Sequence, residues 1–192
     1  AADDVYPDDP IQLLDTASSD AMGAALPRAA GFTGRGVTVA VVDSGCDASH
    51  PDLGDHVIHN IKLYSAEYAN QPPDQGNRIV VPIEMGPYQN SDLGSGHGTH
   101  VAGIIAADST TDAAGGRYGV APDANLICYS IGEVLFTTAV VTAYDHMLDQ
   151  PDLWGIKVVN NSWGNSFRQF DPRDPVAVVT KAVSDLGVTV VF

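Results

Sequence analysis

The chain has 192 residues and carries 24 acidic against 9 basic side chains, a formal net charge of −15. That surplus disfavours nucleic acid and anionic membrane surfaces as partners. No apolar run reaches the roughly 18 residues that a membrane-spanning helix needs.

In chain order, residues 1–36 read as an N-terminal extension with a loop at Tyr6-Pro7-Asp8-Asp9-Pro10 and a helix from Thr16 to Ala30, capped near its start by Ser18-Ser19-Asp20. Val37 to Val42 is an apolar run that reads as a buried strand ending in Asp43. Residues 54–95 are the least regular stretch. Gln71-Pro72-Pro73-Asp74 and Pro82-Ile83-Glu84-Met85-Gly86-Pro87 break any helix there, and a short hairpin fits around Ile79 to Pro82. Further helices are expected over His97–Ala107, Thr137–Asp149 and Pro175–Asp185, and further strands over Asn125–Ile131, Lys157–Asn161 and Val188–Phe192. Strand and helix alternate, which predicts an α/β fold, a doubly wound and mostly parallel sheet with helices on both faces. One domain accommodates all 192 residues, with residues 37–192 as its α/β core. The apolar strand at Val188–Phe192 needs cover on both faces. The expectation is therefore a domain incomplete at its C-terminal end, with a remaining segment bound against that strand.

Two islands carry chemistry. Val39-Ala40-Val41-Val42-Asp43-Ser44-Gly45 delivers a carboxylate at the carboxyl edge of a parallel sheet, where open α/β folds place their ligand sites. Gly96-His97-Gly98-Thr99-His100-Val101-Ala102-Gly103 places an imidazole at the entry of a tightly packed helix. A neutral imidazole can take a hydroxyl proton near neutral pH, and a carboxylate on its other nitrogen holds the productive tautomer. Asp43 as orienter and His97 as base fit that division of labour. The two cysteines, Cys46 and Cys128, are too few for a disulfide framework and read as buried thiols. His100 reads as a satisfied buried histidine, and His50 in Ser49-His50-Pro51-Asp52-Leu53 as part of a turn.

In residue types, spacing and order these islands resemble the subtilisin-like serine proteases, the subtilases. The aspartate motif is Asp43-Ser44-Gly45 with its flank to Leu53, and the histidine motif is His97 to Gly103, followed by Tyr118-Gly119-Val120-Ala121-Pro122. Val158-Val159-Asn160-Asn161-Ser162-Trp163-Gly164 is similar to the family's substrate-binding strand and loop. The resemblance covers about Gly34 to Phe192. It implies a serine endopeptidase with Asp43 and His97 as two members of an Asp-His-Ser triad, whose chain order agrees. The family's oxyanion asparagine and Gly-Thr-Ser nucleophile element do not occur in these 192 residues. The resemblance therefore implies that a complementary C-terminal segment or chain supplies them.

It further implies a polypeptide substrate bound as an extended strand, with Ser162, Trp163 and Gly164 as one wall of the cleft and Ser130, Ile131 and Gly132 opening the other. Trp163 stands where a smaller apolar residue is usual, which admits either an aromatic-lined pocket or plain core packing. After Gly132 the run Glu133-Val134-Leu135-Phe136-Thr137 lacks the family's glycine and serine spacing, which leaves specificity open. A structural calcium is implied at Asp52, with Asp108 to Gly116 resembling the loop that contributes further ligands, against solvated surface acids. Secretion is the expected location. The second function class is a non-catalytic fragment or peptide-binding pseudoenzyme. A nucleotide-binding reading fails because Gly34-Arg35-Gly36 precedes its strand rather than following it.

Overall fold

In a computed structural model of the chain, residues 19, 21–64, 80–86, 88–108, 118–132, 137–164 and 170–192 are described. The elements are α1 (Ala25–Ala29), β1 (Thr38–Asp43), β2 (Val57–Tyr64), β3 (Val81–Glu84), α2 (His97–Ala106), β4 (Asn125–Ser130), α3 (Thr137–Leu148), β5 (Ile156–Asn160), α4 (Pro175–Asp185) and β6 (Thr189–Val191).

The strands form one sheet in the order β3-β2-β4-β1-β5-β6. Only the β2–β3 pair is antiparallel. All six residues of β1 are buried, as a central strand covered on both faces requires. Alternation along it divides the core. Ala40 and Val42 join Ile127 and Tyr129 of β4, Val140, Ala143 and Met147 of α3, and Val179 and Val183 of α4. Val39 and Val41 join Leu126 and Cys128 of β4 with Val101, Ala102 and Ala106 of α2 on the other face. The sheet is doubly wound, as the alternation of elements predicts.

Chain order turns around at β1. The strands β2 and β4 follow on one side of it, and β5 and β6 on the other. Such a reversal opens a crevice at the carboxyl ends of the strands, and Asp43 is the last residue of β1.

The structure corrects several expectations. The helix expected over Thr16–Ala30 is interrupted within its described part: Ser19 and Ala21 are helical, residues 22–24 form a turn in which Gly23 adopts φ +75°, and the helix resumes as Ala25–Ala29. Ser18 and Asp20 lie outside the described residues, and no side chain caps α1. Within the stretch read as irregular, β2 runs for eight residues. A register shift between Val57 and His59 moves the strand's apolar residues from one face to the other, which erases the alternation that marks a strand. In place of a short hairpin around Ile79 to Pro82, Val81–Glu84 forms an edge strand paired antiparallel with Ile61–Tyr64, with residues 65–80 between the two. Cys46 and Cys128 form a disulfide rather than two thiols. His100 is exposed, not buried.

Candidate active site

Asp43 and His97 meet although 54 residues separate them: His97 Nδ1 lies 2.7 Å from Asp43 Oδ1. The carboxylate side chain is 4% exposed and the imidazole 53% exposed. With a carboxylate as its acceptor, Nδ1 carries the proton, which leaves the Nε2 lone pair as the basic position. The Ser44 amide also donates to Asp43 Oδ1, at 2.7 Å. Asp43 Oδ2 is buried with no hydrogen-bond partner among the described residues. The carboxylate's charge therefore acts chiefly on the ring, and it stabilises an imidazolium when one forms.

Two glycines make this approach feasible. A Cβ on Gly98, the second residue of α2, would sit 2.1 Å from the Gly45 carbonyl oxygen and 3.1 Å from Asp43 Cβ. Gly45 has φ +119°, and a Cβ there would lie 2.7 Å from the Ser91 backbone. The Asp-Ser-Gly turn and the first turn of α2 thus touch backbone to backbone. The Gly98 amide donates to Ser44 Oγ at 2.8 Å across that contact.

A buried polar lattice surrounds the turn. Ser91 Oγ accepts from the Cys46 amide at 3.0 Å and donates to Asn60 Oδ1 at 2.6 Å, and the Asn60 amide nitrogen donates to the Gln89 carbonyl at 2.9 Å. Asp92 accepts from the amides of Gly96 and Thr99 and from the Thr99 hydroxyl. Burial would raise its pKa, but the Thr99, Ser44 and Gly96 donors together outweigh it and hold the carboxyl below its ordinary value. Sequence reasoning missed Ser44, Asn60, Ser91 and Asp92. For Asp92 a signal existed, an acid just ahead of a helix start.

The two expected cleft walls emerge at the same sheet edge, because β4 and β5 flank β1. Ser130 lies opposite Asp43 in the ladder. Its hydroxyl turns inward and donates to the Ser44 carbonyl at 2.8 Å. Ile131 is buried in the core, and its amide donates to the Asp43 carbonyl at 2.8 Å. Gly132 follows at φ +82°. On the other side Ser162 and Gly164 are exposed, and Ser162 Oγ accepts from Asn160 Nδ2 at 2.9 Å. Trp163 is half-buried, and its indole N–H donates to the Val42 carbonyl at 2.8 Å. The β1–β5 register ends at Val41 and Asn160, so Trp163 carries the contact one residue further, beside Asp43. Its ring also meets Phe192 edge to face at 5.4 Å. Glu133 to Phe136 lie outside the described residues.

Asp52 lies on a separate open cleft of about 460 Å³ with Asp47, His50, Asp92 and His100, lined by neither Asp43 nor His97. His50 sits in the expected turn, its Nδ1 accepting from the Asp52 amide at 3.2 Å. Among the described residues no group of three or more His, Cys, Asp or Glu side chains could hold a metal ion. Of the segment expected to add ligands, residues 109–116 lie outside the description.

Comparison with known proteins agrees with this geometry. The description "Subtilase family" attaches to a sequence-family match over residues 34–192. Subtilisin E of Bacillus subtilis (strain 168) is 43% identical over 101 residues, which are 53% of this chain and 20% of that protein. Fervidolysin of Fervidobacterium pennivorans is 32% identical over 145 residues, covering 69% of this chain and 17% of that protein. The solved structure of sphericase superposes with a TM-score of 0.60 at 30% identity, covering 82% of this chain and 45% of that one. The chain thus spans about a fifth of the length of the curated relatives named here. The matched span includes both chemical islands and every strand of the sheet, and on that ground the chain belongs to the subtilase family.

Proposed function

We propose that this chain is the Asp-His portion of a serine endopeptidase catalytic domain, with the nucleophilic serine and the oxyanion asparagine supplied by a segment outside these 192 residues. The observation that carries the reading is the 2.7 Å contact between His97 Nδ1 and the buried Asp43 carboxylate, with the opposite edge of a half-exposed ring left to act as base. In the proposed reaction His97 Nε2 takes the serine hydroxyl proton as that oxygen bonds to the scissile carbonyl carbon. The imidazolium, paired with Asp43, then gives the proton to the departing amine. Water attacks the acyl-enzyme with the same base, releasing the acid and restoring the serine. Ser130 does not compete as the nucleophile, since its hydroxyl is turned inward and donates to the Ser44 carbonyl. The substrate would be an extended polypeptide between residues 130–132 and 162–164, held by main-chain hydrogen bonds.

Secretion belongs to the same proposal. The Cys46–Cys128 disulfide favours an oxidising compartment. No helix among the described residues is long and apolar enough to cross a membrane. A structural calcium at Asp52 rests on the family resemblance alone, and an unchanged thermal midpoint in chelator would remove it.

The decisive test is denaturing intact-mass and peptide analysis of the purified full-length protein after reaction with a fluorophosphonate. The expected result is a single adduct on a serine outside residues 1–192, absent from His97→Ala. An unlabelled protein, or an adduct on a serine within these residues, would overturn the reading, and absence of labelling would leave peptide binding without cleavage in its place.

A further inference from the structure

We propose that Asp92 is a positioning residue for the Asp43–His97 pair: one buried carboxylate ties the helix that carries the base to the turn that carries the acid. This inference deepens the proposed function and rests on its assignment of Asp43 and His97.

The helix side comes first. Gly96 precedes α2 at φ +71° and offers no capping side chain, so the leading amides of the helix need acceptors from elsewhere. Asp92 supplies them from outside the helix. Its Oδ1 accepts from the Gly96 amide at 3.1 Å, and its Oδ2 accepts from the Thr99 amide at 3.0 Å and the Thr99 hydroxyl at 2.7 Å. Those two residues bracket His97 in the chain. The strand side follows from Thr99, whose hydroxyl donates to Asp92 and accepts from the Asp47 amide at 3.0 Å, and from Ser44, whose side chain stands close enough to help hold that carboxyl ionised while its oxygen accepts from the Gly98 amide. The Ser44 amide in turn donates to Asp43 Oδ1, the atom that faces His97 Nδ1.

Asp92 is 6% exposed. With its acceptors shared between Gly96 and Thr99, its carboxyl is held below its ordinary pKa in spite of burial, and a charged acceptor makes stronger hydrogen bonds than a neutral one. An asparagine would keep the volume but replace one acceptor oxygen with an NH₂ that faces donors. The chain entering Asp92 is itself fixed, since its amide donates to Asn90 Oδ1 at 2.8 Å and Asn90 bridges Asp47. No bond joins Asp92 to the His97 ring among the contacts described, so it acts through Gly96 and Thr99.

The test compares Asp92→Asn with the parent in the full-length protein, reading the downfield proton resonance of His97 Nδ1–H together with kcat and KM. Misplacing a reacting group by about 1 Å costs about a hundredfold in rate. The expected result is a fall in kcat of at least tenfold with KM nearly unchanged, and a displaced or exchange-broadened resonance. An unchanged resonance overturns the proposal whether or not kcat falls, because a loss without it arises elsewhere. If Asp92→Asn does not fold, Thr99→Val removes the hydroxyl that joins Asp92 to the Asp47 amide and so cuts the strand side of the link. The same resonance change is then expected, and its absence overturns the proposal. If the parent protein cleaves no peptide bond, the proposed function fails, yet the resonance comparison still decides whether Asp92 positions the pair.

Discussion

Two glycines on the same helix should respond to the same substitution with opposite sign. A Cβ at Gly98 would meet the Gly45 carbonyl oxygen at 2.1 Å, and relief to ordinary contact requires about 1 Å of separation between α2 and the Asp-Ser-Gly turn. Both partners are backbone, so no side chain can swing aside. Overpacking of this kind costs about 1–3 kcal/mol. A Cβ at Gly103 would meet nothing within 4 Å, and Gly→Ala inside a helix gains up to about 1 kcal/mol. For a chain of this size each kcal/mol moves the thermal midpoint by about 2–4 °C. Gly103→Ala should therefore raise the midpoint by a few degrees and Gly98→Ala should lower it. Because the 1 Å displacement falls between Asp43 and His97, Gly98→Ala should also lose about a hundredfold in the proposed peptidase activity, while Gly103→Ala keeps it. Scanning calorimetry and a peptide-hydrolysis assay on the full-length protein read both effects. A Gly98→Ala variant with the parent's midpoint and rate would refute the close-packing account of how acid and base are brought together.

Asp43→Asn preserves the shape of the side chain but favours the wrong histidine tautomer, so kcat should fall by about four orders of magnitude with little change in KM, measured by steady-state hydrolysis. The disulfide closes a separation of 82 residues. Cys46→Ala/Cys128→Ala should thus lose about 4.5 kcal/mol on the loop-entropy estimate, read as the shift of a denaturant midpoint, and a loss below about 1 kcal/mol would argue against a formed bridge. Burial lowers the His146 pKa below its ordinary 6.5, with His59 acting in the same direction and Glu84 and Asp149 opposing. The unfolded chain therefore takes up this proton first. The stability His146 contributes is complete above pH 6.5 and is lost as pH falls below it toward the folded value. His146→Gln should flatten that acid decline in a series of melting curves between pH 7.5 and 5.

How much of this was legible in advance follows from which interactions are local. The strand β1 and helices α2, α3 and α4 were readable because burial imprints its own period. Val39 to Val42 are apolar throughout since both faces of β1 are covered, and the expected span of α4 agrees with the observed one. The strand β2 was not readable, because its register shift breaks the period. The disulfide was hidden for a related reason. Cys128 lies in the ladder opposite Val41, next to the turn that holds Cys46, and only the placement of β4 beside β1 makes them neighbours. The turn Pro151–Gly155 is a third case. Asp152, Leu153 and Trp154 all adopt φ near +50°, at a cost of about 1–2 kcal/mol each, and nothing in those residue types announces it. What offsets it is tertiary: Trp154 stacks on His59 with ring centroids 3.9 Å apart and meets His146 edge to face at 5.4 Å.

The candidate site divides along the same line. Asp43 and His97 were legible because the close approach that joins them demands glycine at 45 and 98, and glycines flanking a reactive side chain leave a mark in the sequence. Asp92 left a fainter one. It accepts from two amides and a hydroxyl at the start of α2 at once, and an aspartate in a polar loop has many simpler uses. The difference has a mechanical consequence. The glycines permit the acid and base to approach, but they exert no restoring force on a helix that drifts outward. The hydrogen bonds from Gly96 and Thr99 to one carboxylate do exert it. Permission and restraint thus reside in different residues. A chain with the glycines but without Asp92 should still fold around this sheet while holding its imidazole less firmly against Asp43.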